Sequence, residues 1–336
     1  MIYVGIDVAK ETHYAAVMDD NNNVLVKPFD FTNDAVGFAK LISKLTSFPK
    51  DNLLFGLEST GIYSENLIAF LYDSGFSIAV INPIQTATLR KTGIRKTKTD
   101  KTDTLLIIKS LMVNPYRLYT RQDAVTMKLK SSCRYRQNLK KSKARLKIQL
   151  SAYVNMVFPE LLTFFKSGIH IAACYELLKM CPSPAEIAAL RIDKLSNLLA
   201  KASRGRFGRS SAEALKSLAK TSVGVKNPYI SIQITQTIAS IELLEQQIEE
   251  IETLIEETMK ELDSVIMTIP GIGAMDGAMI LGEIGDISRF ASASKLLAYA
   301  HGNSIYFSGN KKSSRTRGFM AALNIIFFLL QRPDFA

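Results

Sequence analysis

MIYVGIDVAK, residues 1–10, holds the first decision: an apolar run of strand character that ends on one carboxylate, Asp7. LFGLEST, residues 54–60, repeats the arrangement, with Glu58 closing a second apolar run 51 residues further on. Short apolar runs bounded by polar residues read as buried strands. In a parallel or mixed sheet two such strands bring their terminal carboxylates to one edge. KTDKTDT, residues 98–104, adds Asp100 and Asp103 at i, i+3 spacing. If TDKTDTLLIIKSLM is helical, both lie on one face, with Thr99 as its cap and acidic residues suiting the positive end of the helix. Turn, edge and capping roles would account for each carboxylate taken singly.

Taken together, Asp7, Glu58, Asp100 and Asp103 form the candidate catalytic and metal-ligating set. Hard divalent ions such as Mg2+ take oxygen donors, and an ion pair can clamp the attacking and leaving oxygens of a phosphoryl transfer. Mg2+, two ions per site with Mn2+ as a substitute, is the expected cofactor.

Around these runs the pattern alternates. Residues 2–8 and 14–18 read as a hairpin about AKETH, and DDNNN leads into the strand VLVKPFDF. A helix is expected over Ala35 to Leu45, then the strand LLFGLE, a helix over Tyr63 to Ser74 ended by Gly75, and the strand FSIAVIN stopped by Pro83. Strands first and then alternating helix and strand predict an α/β layer architecture of ribonuclease H type, followed by α structure.

The formal charge of +11 makes a polyanion the expected partner. From Arg90 to Lys147 there are 18 Lys or Arg against three Asp, a local balance of +15, so the remainder is net acidic. Ala124 to Phe158 is expected as a helix whose basic residues contact phosphate. The candidate nucleic-acid contacts here are Arg90, Lys91, Arg95, Lys96, Lys98, Arg134, Arg136, Lys140, Lys141, Lys143 and Arg145. A solvated helix face is the alternative reading of the same charges. Ile234 to Ile266 carries Ile241, Leu244, Ile248, Ile251, Ile255 and Leu262 on a heptad seam amid glutamates, which predicts a coiled coil. It either folds back on the basic helix or is shared with another protomer.

IPGIG, with Pro270, Gly271 and Gly273, predicts a tight turn between two apolar helices, a helix-hairpin-helix outline whose backbone can approach phosphates. Lys311, Lys312, Arg315 and Arg317 in the tail KKSSRTRG extend the basic candidates. Cys133, Cys174 and Cys181 lack C-x-x-C pairing, and His13, His170 and His301 lack ligand spacing. A disulfide framework and a structural zinc site are therefore not expected. The first ten residues hold Asp7 and Lys10, unlike a secretory signal, and IIFFLL is short for a bilayer span. A cytoplasmic protein with no membrane partner is the expectation.

The combination of GIDVAK, LEST, KTKTDKTDTLLI, IPGIG with GEIGDISRFASASKLLAYAH, YFSGNKK and RTRG resembles the DEDD transposases of bacterial insertion sequences. This is the one-ten family, which also includes pilin-gene inverting recombinases, and the resemblance runs over nearly the full chain. It implies a RuvC-like domain over residues 1–123 with the four carboxylates as its metal-binding tetrad. A basic helix, helical insert and coiled coil would occupy 124–265. A mostly helical transposase domain would occupy 266–336, where the serine matching Ser308 attacks DNA and forms a 5′-phosphoserine. The resemblance further implies a noncoding bridge RNA that pairs with donor and target DNA, and homodimers that assemble into tetramers with composite active sites. One departure is that only 18 residues follow Gly318, whereas the family's domain usually continues further. The alternatives are a metal-dependent nuclease like Holliday-junction resolvases, in which the serine is incidental, and a C-terminally short form that binds nucleic acid without turnover.

Overall fold

The computed structural model describes residues 1–58, 62–81, 86–89, 100–285, 287 and 290–302, with backbone alone for 62, 100, 101, 297 and 300–302. Arg90, Lys91, Arg95, Lys96, Lys98, Thr99, Ser308, Lys311, Lys312, Arg315 and Arg317 lie outside the described residues. The chain divides into two compact units, Met1–Ala124 and Val125 onward. The residues expected as a middle segment and as a C-terminal domain both lie in the second unit.

The first unit is built on a five-stranded sheet: β1 (Ile2–Asp7), β2 (Thr12–Asp19), β3 (Val24–Thr32), β4 (Leu53–Glu58) and β5 (Ser77–Ile81). Its order is β3-β2-β1-β4-β5. β1, β2 and β3 pair antiparallel, while β1, β4 and β5 run parallel. An antiparallel meander joined to a parallel half in this order is the ribonuclease H arrangement. Three helices cover it: α1 (Ala35–Ser43), α2 (Glu65–Asp73) and α3 (Asp100–Val113).

Strand alternation sends Val4, Ile6, Phe55, Leu57 and Ile78 to one face, where they pack with Phe38 and Leu41 of α1 and Leu67 and Leu71 of α2. The opposite face belongs to α3. There Leu54, Ala79 and Ile81 meet Ile107 and Leu111, and Ala16 and Met18 meet Ile108. Gly5 and Gly56 are partners across β1 and β4 on that face. A Cβ at Gly5 would stand 2.3 Å from the Thr104 carbonyl oxygen, and one at Gly56 would stand 2.4 Å from Leu111 Cδ1. Glycine at both positions lets the helix lie directly on the strand backbones.

The second unit is helical. Its frame is α4 (Arg121–Val157), which starts at the unit boundary, and a bundle of α5 (Ala172–Met180), α6 (Pro184–Ala189), α7 (Ile192–Ala202) and α8 (Arg209–Lys220) follows. Then come α9 (Pro228–Leu262), α10 (Ala274–Ile284) and α11 (Ala293–Gly302). Leu150 and Val154 of α4 share a core with Ile234 and Ile238 of α9, and Leu129 and Cys133 share another with Ile255 and Met259. The two long helices are therefore antiparallel partners within one chain. Of the expected seam, Ile241, Ile248 and Ile255 are buried, while Leu244, Ile251 and Leu262 are half-buried.

The IPGIG outline differs from two helices joined by a turn. α9 ends at Leu262 on Asp263 in the left-handed region, and only a single 3₁₀ turn, Val265–Thr268, precedes the glycines. Gly271 has φ +86°, a conformation that glycine adopts without strain, and Gly273 is the N-cap of α10.

Candidate active site

Asp7 and Glu58 are the last residues of β1 and β4. Ile6 and Leu57 are register partners, so the two carboxylate-bearing residues stand side by side at the carboxyl edge of a parallel pair, about 4.8 Å apart by strand spacing. Each lies two residues beyond a paired glycine, Gly5 or Gly56, and so belongs to the face that α3 covers.

The direction of α3 completes the arrangement. Its Thr104 carbonyl lies over Gly5, while Ile108 and Met112, one and two turns later, pack beside Tyr3. The helix therefore runs antiparallel to β1. From Thr104 back to Asp100 it rises about 6 Å, close to the roughly 6.6 Å from Gly5 forward to Asp7. Its first turn, with Asp100 and Asp103, is thus carried toward the edge that holds Asp7 and Glu58. Asp103 is 6% exposed. Sheet order sets Asp7 and Glu58 side by side, and the direction of α3 turns its first residues toward them.

Among the described residues, no three His, Cys, Asp or Glu side chains converge closely enough to enclose a metal ion. The donor set still fits a hard divalent ion, because it is all carboxylate. Mg2+ in particular is commonly held by one or two carboxylates, with water and substrate phosphates completing its shell. Enzymes with this fold and carboxylate set generally use divalent metals.

Thr86 was not foreseen from the sequence. It is 2% exposed, and its hydroxyl donates a short hydrogen bond to Glu58 Oε1. No periodicity in NPIQTATLR marks that threonine, since its role depends on where the chain returns after β5. His13 supports the same edge from the other side of the sheet. The Ala9 N–H, two residues past Asp7, donates to His13 Nδ1 at 3.2 Å, and Phe31 packs edge-on to the ring at 5.1 Å. Burial holds the pKa of this imidazole below its ordinary value.

The basic helix is also a packing element. Arg136 is buried, and its guanidinium bonds Glu252 of α9 at 2.6 Å from Nε and 2.5 Å from Nη2. Lys140 reaches the same carboxylate at 3.3 Å, and Lys143 and Lys147 approach Glu245 at 3.5 and 3.7 Å. Arg134 forks onto Glu283 of α10 at 2.7 and 2.9 Å. Burial pushes the Glu252 carboxyl up, but hydrogen bonding and charge from Arg136 and Lys140 outweigh it and leave the pKa low. Much of the charge read as nucleic-acid contact therefore joins helices, and Arg136 is a packing residue. Arg134 keeps 63% of its side chain exposed, and Lys141 and Arg145 are exposed as well. At the α10 N-terminus, Gly271 and Gly273 are exposed, but so is Asp276 in the first turn, whose charge opposes an approaching phosphate.

A ribonuclease H fold whose parallel edge gathers carboxylates defines a class of enzymes that cleave or transfer nucleic-acid phosphodiesters. The chain belongs to the IS110 family of transposases and is an enzyme that acts on DNA. A DEDD transposase model of IS110 matches residues 4–159, and the transposase model of the IS116/IS110/IS902 family matches residues 263–326. The chain is 24% identical over 316 residues to a mini-circle protein assigned as the IS117 transposase of Streptomyces coelicolor, covering 89% of this chain and 75% of that one. It is 32% identical over 108 residues to the pilin gene-inverting proteins of Moraxella lacunata and Moraxella bovis, covering 31% of this chain and 32% of each relative. A solved structure of T. thermophilus RuvC in complex with a Holliday junction substrate is similar at 12% identity and a TM-score of 0.27, over 35% of this chain and 100% of that one. No helix among the described residues is long and apolar enough to cross a membrane.

Proposed function

We propose that the chain is an RNA-guided DNA recombinase that moves an insertion sequence by cutting and rejoining strands through a serine. The observation that supports strand cutting at a carboxylate site is the register-adjacent placement of Asp7 and Glu58, with the first turn of α3 directed to the same edge. In this reading Asp7, Glu58, Asp100 and Asp103 hold Mg2+. When bound, the ions supply charge stabilisation at the attacking and leaving oxygens.

Ser308 is the nucleophile, a role that rests on its match to the family's YFSG motif. Its Oγ attacks a DNA phosphorus, the bond to the 3′ oxygen breaks, and the hydroxyl proton passes by way of solvent to that oxygen, which is released as a 3′-hydroxyl. The 5′ end remains as a phosphoserine. Attack by the 3′-hydroxyl of another strand then reverses the step, reforms the phosphodiester and returns the serine, so no nucleotide hydrolysis is required. Donor and target are selected by a noncoding bridge RNA, and homodimers assemble into tetramers that combine the carboxylates of one protomer with the serine of another.

The test combines the full chain, Mg2+, donor and target DNA, and RNA transcribed from the noncoding flank of the element. A denaturing gel should show a protein–DNA adduct that requires RNA and is lost in Ser308→Ala. Cleavage with no adduct would instead make the protein a resolvase-like nuclease, and binding with no cleavage would make it a noncatalytic form.

A further inference from the structure

We infer that Thr86 is a positioning residue for the candidate metal site: its buried hydroxyl fixes the Glu58 carboxylate in the orientation that meets a divalent ion. The inference rests on the reading of Glu58 as a metal ligand. Three observations carry it.

First, the hydroxyl donates to Glu58 Oε1 across 28 residues of sequence, so the contact is tertiary and not a local turn. Second, Thr86 is 2% exposed whereas Glu58 is half-buried, so the hydroxyl that holds the carboxylate is shielded from competing water. Third, the two sides of the site differ in length. Asp7 ends its strand on a short side chain, while Glu58 ends its strand with one more rotatable bond. A glutamate at an open sheet edge loses rotamer freedom when it ligates an ion. A charge-assisted hydrogen bond made beforehand removes much of that loss. Groups that hold a ligand from behind commonly change metal affinity by about 10- to 100-fold when removed.

Thr86→Val deletes the hydroxyl and keeps the branched shape, and Thr86→Ser keeps the hydroxyl. Mn2+ binding to the full chain, followed by the electron paramagnetic resonance signal of free Mn2+, reads the site without DNA. The Mg2+ concentration for half-maximal strand cleavage provides a second reading. Thr86→Val should weaken Mn2+ binding and raise the Mg2+ requirement by roughly 10-fold or more, with thermal unfolding little changed. Thr86→Ser should return both readings to within a few-fold of the parent. Glu58→Gln separates the two layers of the inference. If Glu58→Gln weakens Mn2+ binding and Thr86→Val does not, the positioning role is overturned. If neither weakens it, Glu58 is not a ligand and the underlying reading fails as well.

Discussion

The strand ends of the first unit and the long basic helix of the second use charge in opposite ways. At the strand ends, carboxylates that are far apart in sequence are collected at one edge, and α3 adds its own first turn to them. On α4, cations crowded within one stretch of sequence are dispersed into pairs with Glu245, Glu252 and Glu283. Charge concentrated by topology points to chemistry, whereas charge concentrated only along the chain serves helix packing as readily as ligand binding.

The largest effect expected from this contrast is at the strand edge. Asp7→Asn, which removes charge and keeps shape, should lower Mg2+-dependent strand cleavage by roughly 100-fold or more while leaving unfolding cooperative. Wild-type cleavage in that variant would break the comparison at once.

Next is the pair at the middle of the helical hairpin. Arg136→Ala strands Glu252 with Lys140 alone and should cost about 2–3 kcal/mol in urea unfolding, below the fully buried case because Glu252 is partly exposed. The pH dependence has a defined sign. The folded pKa of Glu252 lies below the ordinary 4.5, so the stability from this pair is present above pH 4.5 and is lost as pH falls through the folded value. Glu252→Gln should remove that part of the acid sensitivity, as measured by unfolding at a series of pH values.

Gly5→Ala tests how closely α3 lies on the sheet. With a Cβ placed 2.3 Å from the Thr104 carbonyl, the helix must move, at a cost of about 1–3 kcal/mol by denaturant titration. Because the same helix carries Asp100 and Asp103, cleavage should fall further than that stability loss accounts for.

A smaller effect concerns the exposed cations of α4. Charge reversal at Lys141 and Arg145 should weaken nucleic-acid binding and flatten its salt dependence by about one unit of slope for each phosphate that is no longer neutralised. Arg136→Gln should change stability and leave that slope unchanged. Equal slopes throughout would mean that the exposed face of α4 is a solvated scaffold. Smallest of all, Asp276→Asn at the start of α10 should strengthen binding by about 0.3–1 kcal/mol if that end meets phosphate.

Much of the first unit is legible in the sequence because strand alternation and terminal carboxylates are local signals. Asp7 and Glu58 end their strands where the apolar runs predicted, and α3 begins at Asp100 in the expected segment. Thr86 was illegible because its partner lies 28 residues away. The pairing of Arg136 was hidden for a similar reason, since a helix shows its own charge but not the glutamate 116 residues later that neutralises it. The heptad pattern predicted a long helix and left open what covers it, and the fold-back on α4 supplies that partner.

The central claim is that Asp7, Glu58 and the first turn of α3 hold a divalent ion. The most direct measurement loads the full chain with Fe2+, adds ascorbate and peroxide, and maps the backbone cuts made by locally generated radicals. The account predicts cuts clustered near residues 7, 58 and 100–103, suppressed by excess Mg2+ and reduced in Asp7→Asn. Cuts confined to other segments, or insensitive to Mg2+, would contradict it.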